Sequence, residues 1–545
     1  MTRSPVLKWF ALVLVLALGY AGYRLGWSVI EPKIEARVAQ IGLRPGQVAA
    51  NGPLPGDVGL YAQELDCQQN IPTPGYYPSL NGAEISDSER SGLFPCASFL
   101  GSRDGPNTVY VWRSADDYPG ISYINNRKPG ELYLVGGEYP TFEDPNMAGP
   151  YVAKADAATG KQIWRTYLDN LNASGRWIGN ANLNILDNGK IAFAWSNQIV
   201  LIDADSGQVL KHNSLPSGAA PTADVNYKHL TIAPDRTLIL KDQTRPRGCK
   251  LQGTIAIIKC TAEGMKQPPS QLVAVDPDTL EVLHDIQMPE PATSPHIVTM
   301  FEGRIAIYVP MDTMVQRAFW DPATKKLSLD ESWLIRPMQK GQSAATAPTV
   351  IGDWIAVQLN GIGSESVASS VVVAHQKDPR KTQIVFPFGE LKKGEWSFAM
   401  PKNGADPENH MLYSADMGIG KVAGIKLDPA SGEMKVVFVL DNMTTTFQPL
   451  FGPKDTRLLM LTQMKRNVPK EPVKAAFFTQ NYTEQLTWRD AATGKLLAES
   501  DYFEPLTGNS LTPPGYGGRV YFPSAAGKGF YVLQAMPKPG LTSAR

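Results

Sequence analysis

Six times the chain writes one short pattern: an apolar run, an Asp, two residues, a Thr or Ser, and usually a Gly. The copies are ADAATGKQIW from Ala155, IDADSGQVL from Ile202, VDPDTLEVL from Val275, WDPATKKLS from Trp320, LDPASGEMK from Leu427 and RDAATGKLL from Arg489. Asp156, Asp203, Asp276, Asp321, Asp428 and Asp490 hold the same place in each. These residue types fit turn chemistry: the carboxylate accepts hydrogen bonds from backbone N–H groups of a tight turn, the hydroxyl assists, and Gly supplies positive φ where the next strand begins. Each copy therefore predicts a hairpin between two short strands, and the six Asp read as structural punctuation. A recurring hairpin replaces several unrelated domains with one stacked or circular array.

Between hairpins the layout repeats as an apolar strand, a variable loop and a second apolar strand, as in ELYLVGG then YVAKAD, or GKIAFAW then QIVLID. A fifth unit, WIAVQL then SVVVAHQKDPRKTQIVF, is degenerate, having lost the hairpin Gly. An eighth, RVYFPSAAGKGFYVLQ, stops before any hairpin, while an unassigned strand at residues 108–112 (TVYVW) precedes the first repeat. Units that cannot cover their own sheets must pack on copies of themselves. Eight four-stranded antiparallel units predict an all-β, eight-bladed β-propeller over residues 107–536, closed by lending that early strand to the last blade. An open β-solenoid is the alternative. Gly (48) and Pro (44) suit many short strands joined by turns. Lys plus Arg equals Asp plus Glu at 52 each, so no basic field exists to recruit nucleic acid.

The N-terminus reads differently. Arg3 and Lys8 precede an uncharged apolar run, residues 9–23, that can extend past Arg24 toward Ile30. This predicts a single transmembrane helix within residues 1–30, with its N-terminus in the cytoplasm, in the inner membrane, and the propeller in the periplasm. A cleaved signal peptide, cut near Gly19-Tyr20-Ala21, is the alternative. Residues 31–106 read as a linker and a loop-rich segment, and residues 537–545 as a tail. Four Cys in an exported chain invite disulfides. Cys249 and Cys260 flank TIAII in what reads as a long hairpin insertion, so a local bridge is expected there; Cys67 and Cys96 would then staple the Pro-rich N-terminal segment. Four unbridged thiols are the alternative. No pair has CxxC spacing, so no metal site is expected.

The first copy, with Asp156, Thr159, Gly160, Lys161 and Trp164 in register, resembles the repeats of quinoprotein propellers. That fold is shared by pyrroloquinoline-quinone (PQQ) dehydrogenases and the outer-membrane assembly factor BamB. The resemblance implies that Trp164 packs against a neighbouring repeat and that the first strand of each unit lines the central channel. In the enzymes it implies a quinone held over Ca²⁺ with an Asp as base and, in the alcohol-oxidising members, a disulfide between adjacent cysteines. No two cysteines are adjacent here, and no Glu, Asn and Asp set can be assembled as Ca²⁺ ligands. The six His, at 212, 229, 284, 296, 375 and 410, form no HxH or HExxH spacing, and neither a nucleophile elbow nor a phosphate loop is present. No catalytic residue, metal or cofactor is assigned.

Binding candidates remain. His229 and His296 lie just before the first strands of the third and fourth repeats, the strands that the resemblance places along the channel, and Trp177, Asn182, Tyr227 and Trp396 lie on segments leading into such strands. By register with the family these converge on one mouth of the channel, where exposed aromatic residues suit protein recognition. The insertions at residues 243–270 and 463–484 are further contact loops. The expected function is a membrane-anchored scaffold or assembly factor that binds an envelope protein or complex. A PQQ dehydrogenase and a channel module for a small ligand or glycan are the alternatives.

Overall fold

The computed structural model describes residues 60–137, 150–168, 177, 183–339, 342–344, 347–361, 363–399, 403–446, 449–506, 512–524 and 529–538. The apolar run at residues 9–23, and with it the anchor, lies outside them, as does Asn182. Among the described residues no helix is long and apolar enough to cross a membrane.

Eight antiparallel sheets form blades I to VIII of a β-propeller, each with four strands, a to d. The a strands follow one another round the ring: Ile121–Asn125 in blade I, Leu183–Ile185 in II, Val225–Ile232 in III and Ile297–Phe301 in IV, then Thr349–Ile351, Gly404–Asp406, Leu450–Phe451 and Pro514–Gly515, with contacts between neighbours from I to IV and from V to VII. Middle strands such as Ile191–Trp195 and Gln198–Ile202 are buried at every residue, because a blade is covered on both faces by its neighbours. The outer d strand is half wet. Met434–Asp441 of blade VI alternates half-buried and exposed residues along its whole length.

The repeated motif forms the hairpin between strands c and d. Asp156 Oδ1 accepts from the N–H groups of Ala158 and Thr159 and from the Thr159 hydroxyl, and Asp203 does the same with Asp205 and Ser206. The hairpin glycine then docks on the preceding blade. Gly207, at φ +75°, is so close to Trp164 that an added Cβ would lie 2.6 Å from the indole, and Thr166 Oγ1 donates to its carbonyl at 2.6 Å. Gly432 meets Trp354 in the same way.

Blade VIII takes its outer strand from the start of the propeller. Asn107–Arg113 pairs antiparallel with Phe530–Pro537 along seven residues, from Asn107 with Pro537 to Arg113 with Tyr531. The ring is thus closed by the strand that the truncated last repeat lacks.

Both expected disulfides are present, Cys67 to Cys96 and Cys249 to Cys260. The second corrects its setting: its insertion is not a hairpin but a helix, α2 (Gly253–Ala262), once α1 (Leu60–Gln69) is counted first. A β-branched run that leaves the sheet has no strand partner, and a helix satisfies its backbone internally. A third helix, α3 (Val473–Phe478), lies in the insertion of blade VII.

Candidate functional site

The ring has two ends. At the turn end strand a turns into strand b; at the connector end strand d of one blade crosses to strand a of the next. Residues 71–99, which as sequence show no periodicity, enter the channel from the turn end. Tyr77 N donates to Ile185 O, and Asn126 N and Ile185 N donate to Asn81 O and Gly82 O, engaging blades I and II. The Tyr76 hydroxyl accepts from Ile232 N of blade III at 3.0 Å. Val298 N of blade IV donates to Ser88 O, Ala405 N of VI to Ser91 O and Leu450 N of VII to Gly92 O. Leu80 N donates to the Tyr516 hydroxyl of blade VIII at 3.4 Å. The short strand Leu93–Phe94 even joins blade VII as a fifth, parallel strand. The chain stoppers its own channel, and the Cys67–Cys96 bridge ties the base of the stopper.

At the centre of this plug Glu84 and Arg90 form a buried ion pair, Oε2 to Nη1 at 2.6 Å, and Arg90 Nε donates to His296 O at 2.9 Å. His229 and His296, from blades III and IV, come together here. His296 Nε2 lies 2.7 Å from Thr231 Oγ1, and His229 Nδ1 lies 3.8 Å from Glu84 Oε1. Burial holds both imidazoles well below their ordinary pKa. The nearby cations add to this: Lys241, Lys228 and Arg90 for His229, and Arg90 and Lys241 for His296. Both are therefore neutral near pH 7. Burial likewise lowers Lys241 and raises the adjoining Asp242, whose carboxylate accepts from Gln271 N at 2.7 Å.

The other expected residues do not join this cluster. Trp177 is fully buried, its backbone N–H donating to Ala223 O at 2.7 Å. Tyr227 is fully buried too, its hydroxyl donating to Pro216 O at 2.6 Å. Neither is presented at a mouth: Tyr227 lies inside strand a of blade III (Val225–Ile232), in a strand buried along its whole length, and Trp177 has no exposed surface. Trp396 remains half-buried at the connector end. It stacks on Phe398 at 4.7 Å, and α3 lays Phe477 5.8 Å from Phe398 and Phe478 6.1 Å from Trp396. Glu84 and Arg90 are the residues that sequence reading missed. The available signal was a pair of charges in a Gly- and Ser-rich stretch, which reads equally well as solvated loop.

This donor set does not fit a quinone held over Ca²⁺, which wants roughly six to eight oxygen ligands. In the cluster at the plug's centre the Glu84 carboxylate is paired with Arg90, the Asp242 carboxylate accepts from Gln271 N, and the groups around them are imidazole and ammonium. Among the described residues no three His, Cys, Asp or Glu stand together as metal ligands. All four cysteines are spent in bridges spanning 29 and 11 residues.

No protein-family model matches the chain, and no curated protein matches its sequence. Solved structures match it in shape. A quinohemoprotein alcohol dehydrogenase from Comamonas testosteroni aligns over 90% of this chain and 87% of its own, with a TM-score of 0.51 at 11% identity. A europium-containing methanol dehydrogenase aligns over 86% of this chain and 100% of its own, with a TM-score of 0.51 at 10% identity. The likeness is one of fold: an eight-bladed β-propeller. BamB from Moraxella catarrhalis is also similar, over 78% of this chain and 98% of its own, at a TM-score of 0.44 and 11% identity. Identities this low carry fold and not chemistry.

Proposed function

We propose that this chain is an exported, membrane-tethered scaffold that binds a protein or protein complex of a bacterial envelope. One observation carries the reading. Residues 71–99 cross the channel and bond to seven of the eight blades, so the site where an open ring would take a ligand is committed to the protein itself. What remains for recognition is the connector end, with Trp396 and two helical insertions on a rigid ring. Two disulfides suit an oxidising compartment and support export. The apolar run at residues 9–23 supplies the tether.

The test is cross-linking of the full-length protein in its native membrane, followed by mass spectrometry. Cross-links from connector-end lysines to one envelope protein are expected, and a monomer without any partner would overturn the reading. Purified protein is also mixed with PQQ and Ca²⁺ and passed through gel filtration. Stoichiometric retention of the quinone with dye-linked dehydrogenase activity would replace the scaffold with an enzyme.

A further inference from the structure

Two b-to-c loops carry helices, and both project from the connector end. One, in blade III, holds α2; the other, in blade VII, holds α3. Four steps apart in an eight-membered ring, blades III and VII face each other, so the insertions flank the channel mouth on opposite sides. Both are built rather than loose. Cys249–Cys260 closes the first. The second is seated by Phe477 and Phe478 on Phe398 and Trp396, and by Lys474 Nζ on Glu365 at 2.9 Å.

Their charge is one-sided. Residues 245–270 carry Arg245, Arg247, Lys250, Lys259 and Lys266 against Glu263. Residues 465–481 carry Lys465, Arg466, Lys470 and Lys474 against Glu471. Arg245 is neutralised by Asp224 at 2.5 Å and Lys474 by Glu365, which still leaves each insertion positive in a chain whose overall charge is zero. Arg247, Lys250, Lys259 and Lys266 are exposed, as are Lys465 and Lys470. Like charges gathered on rigid, opposed supports repel one another, and a ligand of opposite sign relieves that repulsion without an ordering cost.

We propose that the two insertions hold an acidic segment of a polypeptide partner between them, across the connector end and over the half-buried Trp396. The proposal deepens the scaffold reading and rests on it. A polypeptide is favoured over a lipid surface by where the chain enters. α1 sits at the turn end, where Glu64 accepts from Gly517 N in the a-to-b turn of blade VIII at 2.8 Å. Whatever precedes α1 therefore meets the ring at the end opposite the insertions.

The test uses full-length protein in detergent and fluorescent poly-L-glutamate of about 20 residues, followed by anisotropy at low and high salt. Binding that weakens with salt is expected. K250E/K259E/K266E and K465E/K470E should each weaken it at least tenfold, while K211E/K326E/K435E, three exposed lysines on d strands, should change it less than twofold. Near-ultraviolet circular dichroism checks that each variant is folded. No binding, or equal loss in the d-strand variant, overturns the proposal. So does binding of phosphatidylglycerol vesicles, in place of polyglutamate, through the same lysines. A partner cross-linked to wild type that stays bound to both insertion variants sinks this inference and leaves the scaffold standing. Polyglutamate binding as expected, with no partner in the native membrane, does the reverse.

Discussion

Four residues after the motif Asp, the backbone turns left-handed in all six copies. Gly fills the place at 160, 207, 432 and 494, with φ of +68°, +75°, +76° and +74°, but Leu280 and Lys325 hold it at +62° and +54°. Lys325 is exposed, so Lys325→Gly should raise stability by about 0.5–1 kcal/mol, measured by urea unfolding. Gly207→Ala should instead cost at least ~2 kcal/mol, since its Cβ would meet Trp164 in a conformation that already penalises it. The Asp carboxyls need no catalytic explanation. Asp203 is held below its ordinary pKa by the Ser206 N–H and hydroxyl, and Asp428 by those of Ser431. His229 and His296 make a clear pH prediction. Their folded pKa values lie below the unfolded value near ~6.5, so the unfolded chain takes up protons first and the stability due to neutral imidazoles is lost as pH falls below about 6.5. Melting temperature between pH 7.5 and 5 should fall less steeply in His229→Gln than in wild type. An equal slope would mean that His229 does not titrate on unfolding.

The channel segment is the element on which this molecule departs from a bare ring. Its ion pair is out of water on both sides, with Arg90 and Glu84 side chains 0% and 5% exposed. Removing one partner strands the other, so Arg90→Ala should cost about 3–5 kcal/mol, whereas a surface pair such as Arg380 with Asp378 should be nearly silent when broken. The bridge from Cys67 to Cys96 closes a loop that spans nearly the whole segment. Cys67→Ser with Cys96→Ser should lower stability by about 3 kcal/mol and let hydrogen exchange at residues 71–99 outpace that of the blades. If exchange there stays as slow as in the middle strands, the seven-blade hydrogen bonding alone holds the plug. The helices α2 and α3 show a second element-scale lesson. An Ile-rich run of five residues is compatible with strand or helix, and its partner-free position on a b-to-c loop decides the outcome.

For the whole molecule, closure is the cooperative step. Val109 and Val111 of the closing strand are buried against the last blade at 1% and 2% exposure. Val111→Asp should open the ring: urea unfolding should shift by several kcal/mol, of order ~3 or more, and lose its single transition. Val439→Asp, on the half-wet outer strand of blade VI, should stay within about 0.5 kcal/mol of wild type. A ring locked by its two ends and stoppered through its axis is a rigid platform, which suits presentation of fixed surfaces and disfavours gating motions.

Turn chemistry and strand patterning act over fewer than about ten residues, and they were enough for the hairpins, the eight units and the strand that closes them. The Asp-x-x-Thr-Gly spacing marks each hairpin, and a last repeat without its fourth strand points to the spare one at residues 108–112. Both cysteine pairings were legible for the same reason, one being local and the other its remainder. The plug was not. Its hydrogen bonds reach partners as far as 436 residues away, as from Leu80 to Tyr516, and it carries no period because every residue meets a different blade. Nor could spacing tell that Trp177 and Tyr227 are sealed while Trp396 is half open, since that depends on which distant residues pack over each ring. His229 and His296 stood out in the sequence, but their neighbours Glu84 and Arg90 did not. Only the folded ring brings those four together, because its axis is the one place where distant blades share a single loop.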